Sequence, residues 1–396
     1  MYISIFPHTI GYPAVLSIFY RIFGAKVIVA QIMNIILSCG IAVLIYILGS
    51  KLHSRRCGVI SAIIWSLWPS QIFYVSFVST ETLFVFLNLL CIVFFIQILE
   101  SRLNNIISLI LFILLGALCA FANSIRPVAL ITLVAICIFL VLYNVKRTSY
   151  FPYDEVINIY RPFETYNDKG FNKILILAVI LMSYLITSKA IQAVISNKIE
   201  RPLPSKPFGY SLYIGTNYDS NGVWNQDDAN TLGTLMSDLN MTPQMIHDTL
   251  TKLAVNRLKE KDTSQTVNLV WNKFNTMWSA DSDFVNYMKN AIDEKSPSTY
   301  DFFSKYDRLL IRTSNFYYHV FLLIAGVGNL ILLFRRKTYY SMICIIIIGY
   351  IVAHFFLEVA GRYHYPVISL ISLLSGYGLV SLSQLLNFGE KSEVYI

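Results

Sequence analysis

Glu358, Arg362, Tyr363 and His364 fall within one nine-residue stretch, residues 358–366, between the apolar runs 339–356 and 367–386. An acid, an arginine, tyrosines and a histidine at the edge of a membrane-length run are costly unless they are paired or used. Three other clusters carry similar chemistry. Residues 6–13 hold His8 and Tyr12, Ser79-Thr80-Glu81 opens another apolar run, and Asn123-Ser124-Ile125-Arg126-Pro127 closes one. Together they suit the binding of an anionic phosphate beside a general base or a metal-binding carboxylate.

Each residue also has a plainer reading. Arg126 is either a forked donor to a lipid-linked phosphate or pyrophosphate, or an arginine snorkelling to headgroups. Arg362 carries the same alternatives. Glu81 after Ser79-Thr80 is also how an ordinary helix start with a first-turn acid looks. His8 and His364 are ligands, bases or polar anchors at an interface. Trp224, Trp271 and Trp278 have the rings to stack on sugars, but the helical spacing of Trp271 and Trp278 favours packing.

The elements that must position these residues are membrane spans. Of the 396 residues, 56% are hydrophobic and 14% charged, against about a quarter charged in soluble domains. Apolar runs recur at lengths that cross a hydrocarbon core of roughly 30 Å. We read an all-α polytopic membrane protein with about nine spans, near 26–49, 57–76, 82–99, 105–123, 127–145, 173–195, 315–334, 338–357 and 365–386. The net charge of +8 resides largely in short clusters such as Lys51, Arg55 and Arg56, or Arg335, Arg336 and Lys337. That is the pattern of cytoplasmic loops rather than of a nucleic-acid surface. Alternation from a cytoplasmic 51–56 then sends all four polar clusters to the outer face. The six cysteines lie in or beside apolar runs, so no disulfide framework is expected. No metal-ligand spacing or phosphate loop is present.

Three parts follow. An N-terminal membrane module covers 1–195, with an outer-loop remnant at 1–25. A mostly helical extracytoplasmic subdomain covers 196–314, and a C-terminal membrane module with a short tail covers 315–396. Residues 11–24, interrupted by Pro13, suit an interfacial helix. Residues 209–224, rich in Gly, Tyr and Asn, read as strand and turn, and amphipathic helices follow. The tyrosine-rich segment 148–172 suits the cytoplasmic interface. Residues 1–25 would start outside, so a first span and the beginning of its loop are expected upstream of Met1.

The motifs, in order, resemble the GT-C superfamily of polyprenyl-phosphate-sugar-dependent glycosyltransferases, which includes protein O-mannosyltransferases and lipid A aminoarabinose transferases. They are Phe6-Pro7-His8-Thr9-Ile10-Gly11-Tyr12-Pro13, Arg55-Arg56-Cys57-Gly58, Leu67-Trp68-Pro69, Ser79-Thr80-Glu81-Thr82-Leu83-Phe84, Ser124-Ile125-Arg126-Pro127 and Gly361-Arg362-Tyr363-His364-Tyr365-Pro366. Tyr213-Ile214-Gly215-Thr216-Asn217 and Gly222-Val223-Trp224-Asn225 are similar to the outer-loop signature of bacterial cell-surface members.

The resemblance implies a GT-C-like helical bundle in the plasma membrane of a bacterium, with its active site facing outside. It implies an inverting transfer of sugar from a polyprenyl-phosphate donor to an extracytoplasmic polysaccharide, teichoic acid, lipid or protein. Arg126, Arg362 and Tyr363 would hold the donor phosphate. Glu81 would be the catalytic acid of the site, with a divalent metal ion left open and Glu81 its candidate ligand. His8, Tyr12, Glu358 and His364 would line the site. The family's first-loop acid lies upstream of the segment matching residues 6–13. The alternatives are a transporter or flippase of lipid-linked sugars and an inactive remnant serving as an assembly partner. A transporter would want charged or helix-breaking residues deep inside its spans, where this chain has few.

Overall fold

The computed structural model describes residues 1–101, 103–142, 172–292, 297–334 and 338–392. Every regular element among them is helical. In chain order the helices are α1 (Tyr2–Ile5), α2 (Gly11–Phe23), α3 (Val27–Leu52), α4 (Arg55–Ser66), α5 (Pro69–Tyr74), α6 (Glu81–Glu100), α7 (Asn105–Ile125), α8 (Leu130–Leu142) and α9 (Lys173–Ile199). The segment that follows holds α10 (Gly209–Gly215), α11 (Gln226–Ser237), α12 (Pro243–Lys259), α13 (Thr263–Trp278) and α14 (Asp283–Ile292). The chain then returns through α15 (Pro297–Phe334), α16 (Thr338–Phe356) and α17 (Tyr365–Ser392).

Seven of these are long and apolar enough to cross a membrane: α3, α6, α7, α9, α15, α16 and the run Gly361–Leu386 that contains α17. Two expected spans differ. The run at 57–76 is broken into α4 and α5 at Leu67-Trp68-Pro69, because proline has no N–H to continue a helix and suits its first position. The run at 127–145 begins with a 3-10 turn at Pro127–Ala129, and α8 is described only to Leu142.

α6 and the Gly361–Leu386 run form the centre of the bundle, 78% and 83% buried over their apolar windows, whereas α9 is 17% buried and lies at the periphery. α17 packs along α15 and α4, and α7 along α9. The last contact is close because Gly116 lies against the Ile180 carbonyl and Ser183, whose hydroxyl donates to the Ile113 carbonyl at 2.6 Å. Other polar groups within the bundle also pair with each other. The Thr132 hydroxyl donates to Asn88 at 2.6 Å and the Ser38 hydroxyl to Gln71 at 2.5 Å. Each pair removes a donor and an acceptor from an apolar medium, so these polar side chains are structural fasteners.

The helices run so that one end of the bundle carries Glu81, the end of α7 and the start of the Gly361–Leu386 run. The other end carries an ion pair between Lys51 and Glu100 at 2.6 Å. The α10–α14 segment sits over the first end. The Glu358 N–H donates to the Ser211 carbonyl at 2.8 Å and the Val359 N–H to the Gly222 carbonyl at 3.0 Å. Residues 209–215 are helix, not strand. Tyr210, Tyr213 and Ile214 bury one helical face with Ile246 and Leu250 of α12, and this packing outweighs the strand preference of tyrosine and isoleucine. The turn comes after it, with Asn221 and Gly222 both in the left-handed region. Residues 11–23 form a helix with Pro13 in its first turn, where proline is tolerated. Lys146, Arg147, 335–337 and nearly all of the tyrosine-rich segment 148–172 lie outside the described residues.

Lys273 of α13 is the most unusual tether. Its side chain is buried, and Nζ donates to the carbonyls of Gly215 at 2.7 Å and Phe355 at 3.0 Å, joining the overlying segment to the end of α16. Burial lowers its pKa to about 7, with Glu358 pulling the other way. The unfolded chain therefore binds the proton more readily between about pH 7 and 10.5. The stability difference between the native chain and Lys273→Met should rise with pH across that window and be flat below it. Thermal unfolding of both proteins in detergent, from pH 6 to 10, checks this.

Candidate active site

The site is assembled from chain ends that local sequence turns toward one another. Arg126 follows the last residue of α7, and Pro127 forbids it a helical backbone, so it is extended (φ −145°, ψ 124°). That turn carries its guanidinium to Glu81 at the first position of α6, with Nη1 3.3 Å from Oε1. Glu81 is 5% exposed. Its other oxygen lies 3.4 Å from the Thr80 hydroxyl, and Thr80 makes no capping hydrogen bond to the helix backbone. The first-turn acid therefore still meets the helix dipole, but its main partner is Arg126.

Tyr363 completes this group. Its ring centroid lies 5.6 Å from the Arg126 guanidinium carbon, and Phe84 lies on another side at 6.0 Å. The Tyr363 hydroxyl faces the Glu358 carboxylate. Burial pushes Glu358 above the usual carboxylate range, while Tyr363, Arg362 and Arg126 act to hold it down. Arg362 is exposed, with its guanidinium carbon 5.6 Å from the Tyr287 ring centroid and within the field of Glu81. Two arginines thus share one acid's field, one half-buried against it and one open to solvent.

The N-terminal segment closes the same end. Gly11 lies so tightly on the Ser124 backbone that a side chain there would collide with it. This contact brings His8 and Tyr12 in beside α7. His8 is lowered to about 4 by burial and by the Arg126 charge, so near neutral pH its ring is an uncharged donor and acceptor. Tyr12 is buried, and burial first, then Tyr20 and Glu81, push it up to about 12. His8, Tyr12, Glu81, Arg126, Glu358, Arg362 and Tyr363 are therefore gathered from four separate parts of the chain.

His364 behaves differently. Its ring borders the crevice beneath Arg362, but its nitrogens are committed, Nδ1 to the Met277 carbonyl at 2.5 Å and Nε2 to Asp281 at 3.0 Å. Asp281 was not anticipated from the sequence. Its side chain also accepts from the Trp68 indole and from the Ser70 hydroxyl at 2.8 Å, and its carbonyl accepts from Ser314 at 2.6 Å. One acid thus ties the α13–α14 connection to α5, α15 and the 361–364 turn. Asp281→Ala would leave two buried donors unmet, the Trp68 indole and His364 Nε2, each costing about 1–3 kcal/mol, while Ser70 keeps the backbone carbonyl of residue 281. The variant should accumulate poorly in membranes, which quantitative immunoblotting measures.

Asp283, Tyr287 and Tyr74 were also unanticipated. Burial raises the pKa of both Asp283 and Tyr287. The only sequence signal for the two acids is their place just after the aromatic helix α13, too weak to choose them. The aromatic residues of that helix part company. Trp271 is 61% exposed, against the packing role that its spacing suggests. Trp278 packs toward the interior, with its ring centroid 5.9 Å from that of His364.

No group of three or more metal-ligating side chains occurs among the described residues. Glu81, turned to Arg126 and nearly sealed from solvent, is a poor fit to a metal site. The arrangement offers two guanidinium groups for an anion, hydroxyl and imidazole groups around them, and no nucleophile poised beside a base.

Residues 7–155 match the family model described as dolichyl-phosphate-mannose-protein mannosyltransferase. The matched stretch includes His8, Tyr12, Glu81 and Arg126, and covers less than half of the chain. No curated protein matches the chain. No solved structure matches it.

Proposed function

We propose that this chain, a GT-C superfamily glycosyltransferase as its match to the mannosyltransferase family over residues 7–155 indicates, moves a sugar from a polyprenyl-phosphate donor to a hydroxyl-bearing acceptor on the outer face of a bacterial plasma membrane. The observation that carries the reading is the convergence of Arg126, Arg362 and Tyr363 around Glu81 at one end of the bundle. A phosphate monoester leaving the anomeric carbon gains negative charge as the bond breaks, and fixed cationic donors stabilise that charge where water is scarce. Arg126 and Arg362 would take its oxygens, with the Tyr363 ring set against the Arg126 guanidinium beside them.

Glu81 would hold Arg126 in its extended turn and keep two arginines from repelling one another. This makes it a positioning acid rather than the proton acceptor. His8, Tyr12 and Glu358 would line the sugar's side of the site. Transfer with inversion requires only one displacement, which fits a site with no poised nucleophile.

The test uses membranes from the native cells, supplied with polyprenyl-phosphate mannose carrying a labelled sugar. Deleting the chain should remove label from a non-lipid acceptor, and restoring it should bring that label back. Unchanged incorporation in the deletion strain would contradict the proposal. Side is tested by a membrane-impermeant maleimide. Asp227→Cys should react in intact cells and Arg56→Cys only after permeabilisation, and the reverse would overturn the outward-facing site.

A further inference from the structure

The two outer-loop motifs, residues 213–217 and 222–225, fold into one knot around a buried acid. Asp228, 1% exposed, accepts from the side-chain amides of Asn217 at 3.0 Å and Asn225 at 2.9 Å, and from the Arg257 guanidinium at 2.7 Å. Its own N–H donates to the Asn225 side chain at 2.9 Å. Arg257 also lies 3.7 Å over the Tyr213 ring and donates to the Tyr213 carbonyl at 2.8 Å. Gly222, in the left-handed region, turns the chain within this knot, and its carbonyl accepts from the Val359 N–H. The knot is thereby fixed to the stretch that carries Glu358, Arg362 and Tyr363. Of the side chains in the two motifs, all but one are buried or half-buried; Trp224 stands 53% exposed.

The neighbours of Trp224 put it at the mouth of the site. The Tyr210 hydroxyl faces the Trp224 indole, and Tyr210 also lies in the field of Glu358. Phe6 packs edge-on against Tyr210, with ring centroids 5.5 Å apart, and against His8 at 6.2 Å. An aromatic wall thus runs from the exposed indole to His8, on the side of the site where the sugar would lie. The charge of this surface is one-sided. From residue 207 to residue 251 there is no lysine or arginine, while Asp219, Asp227, Asp238 and Asp248 are exposed. Tryptophan also favours bilayer interfaces, but a stretch whose exposed charges are all negative is repelled by anionic lipid. An anionic polymer is repelled by it equally.

Resting on the transferase reading above, we propose that Trp224 is the platform of the acceptor subsite and that the acceptor is an uncharged glycan, one of whose sugar rings lies on the indole. The C–H face of a pyranose carries weak positive charge and meets the negative face of an aromatic ring, and the contact covers apolar area on both. Because the knot holds Trp224 in place before the acceptor arrives, little freedom is lost when the ring is covered. Trp224 belongs to the segment that overlies the bundle, while the donor's phosphate would lie at the bundle end beneath it. Acceptor and donor then approach from opposite sides. The acid-rimmed surface selects against teichoic acid and other phosphate-bearing polymers, and leaves hydroxyl-rich, uncharged chains.

The experiment uses the full chain in nanodiscs with labelled polyprenyl-phosphate mannose. Envelopes of the deletion strain supply unmodified acceptor and are added in increasing amounts. For Trp224→Ala the amount of envelope giving half-maximal transfer should rise about tenfold, equivalent to ~1.4 kcal/mol of lost contact. Maximal transfer and donor retention should stay within about twofold of the native chain. Trp224→Phe, which keeps a flat ring, should recover most of the loss. The labelled product should pass an anion exchanger unretained and resist protease. A half-maximal amount within threefold of native for Trp224→Ala overturns the inference and leaves the transferase reading intact. So does a fall in donor retention or maximal transfer with no change in acceptor requirement, which would make Trp224 a structural or bilayer contact. Label retained by the exchanger, or released by protease, overturns the assignment of an uncharged glycan. If the native chain neither retains nor transfers the label, both readings fall.

Discussion

Arg362→Ala should reduce sugar transfer by roughly 10²–10³-fold, the loss found when one preorganised donor to a developing anion is removed. The same substitution should leave the amount of protein in the membrane unchanged. Arg362 is exposed, and its partners are the Tyr287 ring and the more distant field of Glu81. Surface substitutions of this kind are usually worth within about ±0.5 kcal/mol of stability. Arg362→Lys should recover only part of the activity, because an ammonium keeps the charge but not the forked geometry. Transfer measured per unit of immunodetected protein separates these effects. Normal transfer by Arg362→Ala would remove Arg362 from the site.

Arg126→Ala has a different expected outcome, loss of stability together with loss of activity. Glu81 would remain buried as an uncompensated charge, a situation that costs about 3–5 kcal/mol. Replacing both partners, as in Glu81→Gln with Arg126→Met, should recover most of that stability, since the desolvation cost disappears with the charges. Activity should not return in the double variant, because the donor phosphate would have lost a ligand. Thermal unfolding in detergent gives the first quantity and transfer per folded protein the second. A double variant as unstable as Arg126→Ala alone would show that Glu81 and Arg126 do not act as a pair.

Membrane character and the collection of polar clusters at one end were legible because both depend on composition and on runs of membrane length. Arg126-Pro127 was legible for a local reason: proline dictates the backbone of the residue before it. Other features depend on packing that one sequence does not display. Leu67-Trp68-Pro69 divides a hydrophobic run into two helices, although its composition alone reads as one span. Helical spacing places Trp271 and Trp278 near one another on α13 but does not say which is covered. Glycine and tyrosine at 209–215 suggest extended chain until α12 provides a surface for a helical face. Asp281 and Asp283 lie far in sequence from the arginines, and only folding of the segment over the bundle brings them to the 361–364 turn. His364 stands in a recognisable motif, yet its nitrogens are taken by two residues that no motif contains.

The claim on which the rest stands is that the lipid phosphate lies between Arg126 and Arg362. Photocrosslinking tests it most directly, using a polyprenyl phosphate with a diazirine on its first isoprene unit in membranes that hold the native chain. Peptides containing Arg126 and the 361–364 turn should carry the label, and an excess of unmodified polyprenyl phosphate should displace it. Label confined to the opposite end of the bundle, around Lys51 and Arg55, would contradict the account.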